Sequence, residues 1–122
     1  MASVIHLPSH ADNRGVLTVI DGVLPFPIAR VYYMYRTTGQ PRGGHRHRKT
    51  WQALVSVAGS CVVEWNDGCR RGVETLSSPD TLLVLMPEDW HVMRDFSADS
   101  VLLVMASEPF DASDYIDEGY ET

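Results

Sequence analysis

The chain is poor in cysteine and has no long apolar run. Its 122 residues include two cysteines, Cys61 and Cys69, on either side of the turn signal Asn66-Asp67-Gly68. A tight turn there would leave the two thiols out of register for a disulfide, and two cysteines are too few for a zinc framework. We therefore expect both to be reduced structural thiols.

Membrane and secretion signals are also missing. The longest apolar run, around residues 81–86, is far shorter than the roughly 20 residues that a membrane-spanning helix needs. The first residues include two histidines, a proline and an aspartate where a signal peptide would have a basic region followed by an apolar stretch. We expect a cytoplasmic protein that does not interact with membranes.

Basic residues are scarce outside the first 50 positions. Residues 1–50 contain seven of the ten Lys and Arg residues and two acids, whereas the remainder contains three basic residues and fourteen acids. The net charge of −6 argues against a protein that wraps nucleic acid. The local concentration of arginine suits a compact anion such as a pyrophosphate, although a solvated basic edge strand would have the same composition.

Short apolar segments alternate with turn residues along the whole chain. No window keeps a helical period over three turns, while strand-forming residues recur between Gly, Pro, Asn and Asp. This pattern predicts an all-β single domain of residues 1–122, an antiparallel sandwich or barrel. The acidic C-terminal stretch from Asp111 is predicted to form a helical turn or a frayed tail. The predicted strands are 16–20, 28–35, 52–58, 61–65, 81–86, 91–96 and 101–105.

The sequence Gly-Gly-His-Arg-His at 43–47 is the most informative motif. In an extended segment His45 and His47 project from the same face, and Arg46 projects from the other. Two neighbouring imidazoles on an inner face are hard to explain by packing, because burying each of them costs free energy unless its nitrogens are paired. The pair therefore indicates a functional site.

Two kinds of chemistry fit this pair. With His91 as a third ligand, His45 and His47 could hold a metal ion, but Gln52 stands where metal-binding cupins have a glutamate, and this loss of charge weakens the metal site. Alternatively, the imidazoles could exchange protons without a metal, because their ordinary pKa of about 6.5 lies close to neutrality. The residues alone leave both interpretations open.

The chain resembles the dTDP-4-keto-6-deoxyglucose 3,4-ketoisomerases, a small family of cupins. The resemblance extends over nearly the whole length, and the order and spacing of its motifs make it specific. The motifs include Asp12-Asn13-Arg14-Gly15, Arg30-Val31-Tyr32-Tyr33, Arg42-Gly43-Gly44-His45-Arg46-His47, Trp90-His91-Val92-Met93 and Asp114-Tyr115-Ile116.

The resemblance implies a cupin or jelly-roll β-barrel that acts on a dTDP-linked 4-keto-6-deoxy sugar without metal or other cofactor. It also implies a homodimer whose N-terminal strands exchange between subunits. The catalytic residues would be His45, His47 and Tyr33, with His45 slightly favoured as the base. The substrate-binding residues would be Arg14, Arg42, Gln52 and His91, the two arginines holding the pyrophosphate.

Three other functions compete with this interpretation. The first is a metal-dependent cupin enzyme that uses His45, His47 and His91. The second is a module that binds a sugar nucleotide without catalysis. The third is a related 3,5-epimerase, which typically pairs one catalytic histidine with an aspartate, and the sequence shows no aspartate at a matching place.

Overall fold

The protein is built almost entirely of β-strands. The computed structural model describes residues 1–120, and its one short helical element is a 3₁₀ turn at Ala112–Asp114. The strands are β1 (Ser3–His6), β2 (Ser9–Asp12), β3 (Gly15–Thr18), β4 (Arg30–Met34), β5 (Arg42–His47), β6 (Gln52–Ala58), β7 (Cys61–Asn66), β8 (Arg71–Leu76), β9 (Thr81–Leu85), β10 (Trp90–Arg94), β11 (Val101–Ala106) and β12 (Tyr115–Ile116).

Two five-stranded antiparallel sheets form a sandwich. The first sheet has the order β1-β9-β6-β11-β4, and the second has the order β12-β5-β10-β7-β8. Strands β2 and β3 form a separate two-stranded hairpin. This single all-β domain confirms the predicted cupin-type fold.

The core lies between the two sheets, where alternate side chains of each strand meet. Leu54 and Leu83 of the first sheet pack there with Val63 of the second, and all three are buried. A second cluster lies on the opposite face of the first sheet, where buried Val55 and Val84 pack against the segment that precedes β4. The inner strands β6 and β9 of the first sheet are therefore buried on both faces.

The predicted strands agree with the structure in the apolar part of the chain and fall short in the polar part. The strand predicted at 52–58 is β6 to the residue, and those at 61–65, 81–86, 91–96 and 101–105 correspond to β7, β9, β10 and β11 with small differences at their ends. The prediction lacks five strands, β1, β2, β5, β8 and β12, which are short or contain several polar or glycine residues and so show no continuous apolar segment.

The two cysteines and the C-terminal stretch agree with the expectations. Cys61 is buried and Cys69 is exposed, and neither forms a disulfide within residues 1–120. Cys61 lies opposite Leu76 in the β7–β8 ladder. The C-terminal stretch forms the single 3₁₀ turn and β12, while residues 121–122 lie outside the described part. Over residues 1–120, no helix is long and apolar enough to cross a bilayer.

Candidate active site

A cavity of about 310 Å³ opens between β4, at the edge of the first sheet, and β5 of the second sheet. Strand β10 and the C-terminal segment complete its wall. No carboxylate from residues 1–120 is among the side chains that line it. The lining side chains that matter most for chemistry are Arg30, Tyr32, Arg42, His45, His91 and Tyr115.

Strand pairing gathers three imidazoles beside this cavity. His45 lies directly opposite His91 in the β5–β10 ladder, and His47 lies two residues further along β5. The ring centroids are 5.0 Å apart for His45 and His47, 5.1 Å for His45 and His91, and 6.3 Å for His47 and His91. The predicted pair on one strand face is thus joined by the histidine predicted as a third member.

A glycine permits this arrangement. Gly43 has a φ of +89°, and the β5–β10 register shifts between His91 and Val92, beside it. A Cβ atom at position 43 would lie 2.9 Å from the carbonyl oxygen of His91. Any larger residue at position 43 would therefore push apart the two strands that carry His45 and His91.

His47 is buried beside a carboxylate that sequence analysis missed. Its ring Nδ1 lies 2.9 Å from Oδ2 of Asp114, which follows 67 positions later. Asp114 also accepts hydrogen bonds from the Thr50 hydroxyl and, at 2.8 Å, from the backbone N–H of Lys49. Burial alone would raise the pKa of Asp114, but these bonds hold it below its usual value, so the carboxyl is ionised.

His91 is held by a neutral acceptor. Its Nδ1 lies 2.9 Å from the carbonyl oxygen of Asp89, which can only accept, so Nδ1 carries the proton. Burial, with smaller contributions from His45 and His47, lowers the pKa of His91 to about 3 despite that hydrogen bond. His91 is therefore a neutral ring near physiological pH.

His45 is the most accessible of the three rings and lines the cavity. Its pKa is lowered first by burial and then by neighbouring His47. The ring of Tyr115 lies 4.6 Å from both His45 and His47, centroid to centroid. This contact follows from the β12–β5 ladder, in which Tyr115 pairs with His47.

Tyr32, and not the predicted Tyr33, lines the cavity. The two residues are neighbours on β4, so their side chains lie on opposite faces, and that of Tyr33 is 61% exposed on the outside of the molecule. The Tyr32 hydroxyl accepts a 2.8 Å hydrogen bond from Gln52 Nε2. Within one chain, Tyr32 is therefore the tyrosine placed to contact a ligand in the cavity, and the predicted Tyr33 is not. Side chains alternate along a strand, so Tyr32 shares a face with Met34, which is buried. This alternation was the signal available in the sequence.

Gln52 is buried but does not line the cavity, and it contacts Tyr32 rather than a histidine. Its role in this structure is to hold the tyrosine hydroxyl. Burial raises the pKa of Tyr32, so the phenol stays protonated at neutral pH. Because the hydroxyl oxygen accepts from Gln52, its own hydrogen is available to a ligand in the cavity.

Two arginines give the cavity a positive rim. The predicted Arg42 lines it, and so does Arg30, which sequence analysis did not select. The Arg30 guanidinium lies 4.9 Å from the ring centroid of Tyr32 and 5.6 Å from that of Phe110. Its buried Nε has no hydrogen-bond partner within residues 1–120. An anion at this rim would find donors that no protein carboxylate occupies.

Arg14 does not line the cavity of its own chain. It lies in the turn between β2 and β3, exposed, and pairs with Asp12 in the same hairpin. A role for Arg14 in substrate binding would require a second subunit.

The three histidines do not form a metal-binding set. Across residues 1–120, no group of three or more His, Cys, Asp or Glu side chains is arranged to hold a metal ion. Nδ1 of His47 and Nδ1 of His91 are bound to Asp114 and to the Asp89 carbonyl, which leaves the Nε2 lone pairs of both rings free. Gln52, at the position of the cupin glutamate, is neutral and turned toward Tyr32. A site with a neutral amide in place of the carboxylate would hold a divalent ion less firmly, which weakens the metal-dependent alternative.

Comparison with known proteins gives consistent results. Residues 1–121 match the family described as FdtA: WxcM-like, C-terminal. The chain is 45% identical over 116 residues to the TDP-4-oxo-6-deoxy-alpha-D-glucose-3,4-oxoisomerase of Aneurinibacillus thermoaerophilus, a match that covers 93% of this chain and 84% of the relative.

Two solved structures are similar in both fold and sequence. The TDP-quinovose 3,4-ketoisomerase WlaRB of Campylobacter jejuni superposes with a TM-score of 0.91 at 37% identity, over 96% of this chain and 92% of that one. A mutant of the 3,4-ketoisomerase QdtA of Thermoanaerobacterium thermosaccharolyticum, in complex with TDP-4-keto-6-deoxyglucose, has a TM-score of 0.91 at 35% identity. That match covers 96% of this chain and 87% of the other.

The buried histidines predict a loss of stability in mild acid. Because the pKa values of His45, His47 and His91 are lowered in the folded chain, the unfolded chain binds more protons below its ordinary histidine pKa of 6.5. The contribution of the neutral histidines to the free energy of unfolding is fully present above pH 6.5. It is lost as the pH falls toward their lowered pKa values in the folded chain. The unfolding free energy should decrease by up to about 1.4 kcal/mol per pH unit for each proton taken up.

Urea unfolding between pH 7.5 and 5 measures this slope. His91→Gln should reduce the slope of the unfolding free energy against pH by about the contribution of one bound proton, because His91 has the most strongly lowered pKa. His6→Gln, at an exposed position of β1, is the matched control and should keep the wild-type slope. An unchanged slope in His91→Gln would contradict the assignment of a neutral, buried ring.

Proposed function

The chain belongs to the FdtA family of WxcM-like, C-terminal domains, and we propose that it carries out its reaction by histidine acid–base catalysis without a metal. It is a sugar-nucleotide 3,4-ketoisomerase, an isomerase of a dTDP-linked 4-keto-6-deoxyhexose. The observation that supports this mechanism is the cavity itself, which is lined by His45, by protonated Tyr32 and by two arginines at its rim, with His47 directly behind His45.

The reaction needs only proton transfers. Removal of the proton on C3 of the 4-keto sugar leaves its electron pair in a new C3=C4 bond, and negative charge develops on O4. Transfer of the hydroxyl proton from O3 to O4 and return of a proton to C4 then place the carbonyl on C3 and a hydroxyl group on C4. No external oxidant or reductant takes part, since one carbon of the sugar is oxidised as its neighbour is reduced.

We assign removal of the C3 proton to His45, because its ring lines the cavity. His47 is 4% exposed and lies behind it. With ring centroids 5.0 Å apart, the two imidazoles are close enough to share the return of the proton to C4. His91, a neutral ring on the cavity wall, is suited to accept a hydrogen bond from a sugar hydroxyl.

Tyr32 supplies the hydrogen bond to the developing oxyanion. Its oxygen is oriented by Gln52, and its hydrogen is free to donate to O4 as charge develops there. Arg30 and Arg42 would hold the diphosphate at the rim, since guanidinium groups present paired donors to phosphate oxygens.

The cytoplasmic location expected from the sequence stays a prediction.

Replacing either catalytic histidine should abolish isomerisation. His45→Asn and His47→Asn keep a hydrogen-bonding side chain but cannot transfer protons, so turnover should fall on the order of 100-fold or more. Proton NMR of dTDP-4-keto-6-deoxyglucose with enzyme in heavy water follows both the new keto sugar and the loss of the C3 hydrogen signal. His6→Asn is the control and should keep wild-type turnover.

The same experiment separates the alternatives. Binding of the sugar nucleotide without any exchange at C3 would favour the non-catalytic module, and loss of activity in chelator would favour the metal enzyme. Exchange at C5 as well as C3 would favour the epimerase. Full turnover in both folded histidine variants would contradict the proposed mechanism.

The two adjacent tyrosines offer a matched pair of substitutions. Tyr32→Phe removes the hydroxyl that faces the cavity and should lower kcat by about 100- to 1000-fold, as loss of one oxyanion donor does. Tyr33→Phe removes a hydroxyl on the outer face and should leave kcat unchanged in steady-state assays. The reverse ranking would restore Tyr33 as the catalytic tyrosine.

The exposed hairpin supports a homodimer. Strands β2 and β3 pair only with each other, and Val16 and Leu17 are 71% and 61% exposed. An isolated two-stranded hairpin with apolar side chains in water is marginally stable, so a covering surface is needed. We propose that a second copy covers it, which would also bring Arg14 to another subunit's cavity.

Light scattering on the eluting protein tests this arrangement. The wild type should have about twice the chain mass of 13.6 kDa, and Leu17→Glu should shift it toward the monomer, because a charge cannot be buried unpaired at an apolar contact. Val73→Glu, at an exposed position of β8, should leave the mass unchanged. A monomeric wild type would contradict the dimer.

A further inference from the structure

We propose that Asp114 is a positioning residue for the reaction: its carboxylate holds His47 in the Nδ1–H tautomer and supports the positive charge that this ring acquires when it accepts a proton at Nε2. The inference rests on the proposed function, because it concerns how one member of the histidine pair becomes a base. It assigns a role to the C-terminal segment, which sequence analysis treated as a helical turn or a tail.

The hydrogen-bond chemistry determines the tautomer. An ionised carboxylate can only accept, so the 2.9 Å contact with Asp114 Oδ2 requires the proton of His47 to be on Nδ1. The lone pair is then on Nε2. That atom is buried and has no hydrogen-bond partner within residues 1–120. A buried acceptor without a partner is costly, and a proton donor in the site would satisfy it.

The carboxylate is itself held rigidly. Asp114 is 3% exposed, and its two oxygens receive hydrogen bonds from the Thr50 hydroxyl and the Lys49 N–H as well as from His47. The backbone N–H of Arg48 donates to the Asp114 carbonyl at 2.9 Å, so the 3₁₀ turn is attached to the end of β5. His47 therefore faces a fixed negative charge rather than a mobile one.

The groups around His47 come from five elements and differ in charge. Burial lowers the pKa of His47, the Asp114 hydrogen bond and charge oppose that effect, and the charge of Arg30 adds to the lowering. Removing the carboxylate would therefore lower the pKa of His47 further. The ionisable groups facing His47 are Asp114 of the 3₁₀ turn, His45 of β5, His91 of β10, Tyr115 of β12 and Arg30 of β4.

The neighbouring histidines show that this pairing is specific. His91 has the same Nδ1–H arrangement, but its acceptor is the Asp89 carbonyl, which carries no charge. Protonated His91 would have no counterion, whereas protonated His47 would have Asp114 at hydrogen-bond distance. Of these two buried rings, His47 is therefore the one whose protonated form is stabilised by a carboxylate at hydrogen-bond distance.

Asp114→Asn tests the role with minimal change of shape. We expect kcat to fall on the order of 100-fold or more with KM within about threefold, because the wrong tautomer blocks proton transfer and substrate contacts remain. The acid limb of the kcat profile should move to lower pH, since the group that raises the pKa of His47 is gone. A purely structural role would lower the melting temperature without moving that limb.

Asp111→Asn is the matched control. Asp111 caps the same 3₁₀ turn by accepting from the Ser113 N–H, but it is exposed and does not contact His47. Its substitution should destabilise the turn modestly and leave the position of the acid limb unchanged. Equal effects of the two substitutions on kcat and on the acid limb would overturn the proposal.

Nitrogen-15 NMR of the histidine rings gives a readout that does not depend on activity. Wild-type protein should show His47 protonated at Nδ1 and unprotonated at Nε2 at pH 7.5, and Asp114→Asn should change this pattern. A wild-type His47 protonated at Nε2 would overturn the proposal even if Asp114→Asn failed to fold. Failure of the proposed function would instead appear as wild-type protein that does not isomerise the sugar.

Discussion

The position of β5 between β10 and β12 is the constraint on which the site depends. One ladder brings His91 opposite His45, and the other brings Tyr115 opposite His47. Each ladder alone would give a pair of aromatic rings on a surface. Together they close three imidazoles and a phenol around one end of the sandwich, and the 3₁₀ turn before β12 adds the only carboxylate that reaches them within residues 1–120.

Charge is distributed to suit a negatively charged substrate with a reactive ketone. The protein is acidic overall, yet the cavity rim carries Arg30 and Arg42 and none of the lining side chains from residues 1–120 is acidic. Deeper in the site the groups are neutral at physiological pH, since burial keeps the imidazoles unprotonated and Tyr32 protonated. A diphosphate can therefore bind at the rim while the sugar meets bases and a phenolic donor that are already in the required state.

The sequence was sufficient for the fold and for the local part of the site. Alternation places His45 and His47 on one strand face, and the same rule applied to β4 would have selected Tyr32 over Tyr33, since Met34 faces the core. Asp114 could not be found in this way: it lies 67 residues from His47, and nothing in the local pattern of an acidic tail indicates which carboxyl will be buried. Arg14 is the reverse case, a residue predicted from the sequence that the structure of one chain does not place at the site. Its hairpin has no contact with the cavity of that chain, so its role depends on assembly.

The hydrogen-bond acceptors that the ring nitrogens contact give these chemically similar histidines different roles. His47 and His91 are both buried, and both have Nδ1 bound to oxygen, so geometry alone would make them equivalent. The difference is one unit of negative charge, placed where it can stabilise an imidazolium on β5 but not on β10. His45 lines the opening, and its ring has a backbone hydrogen bond to Gly43 instead of a bond to Asp114 or Asp89. Three histidines can thus act as a base at the cavity, a charge-supported partner that shares the proton, and a ring that is neutral near physiological pH, because a proton transfer is directed by where the resulting charge is stabilised.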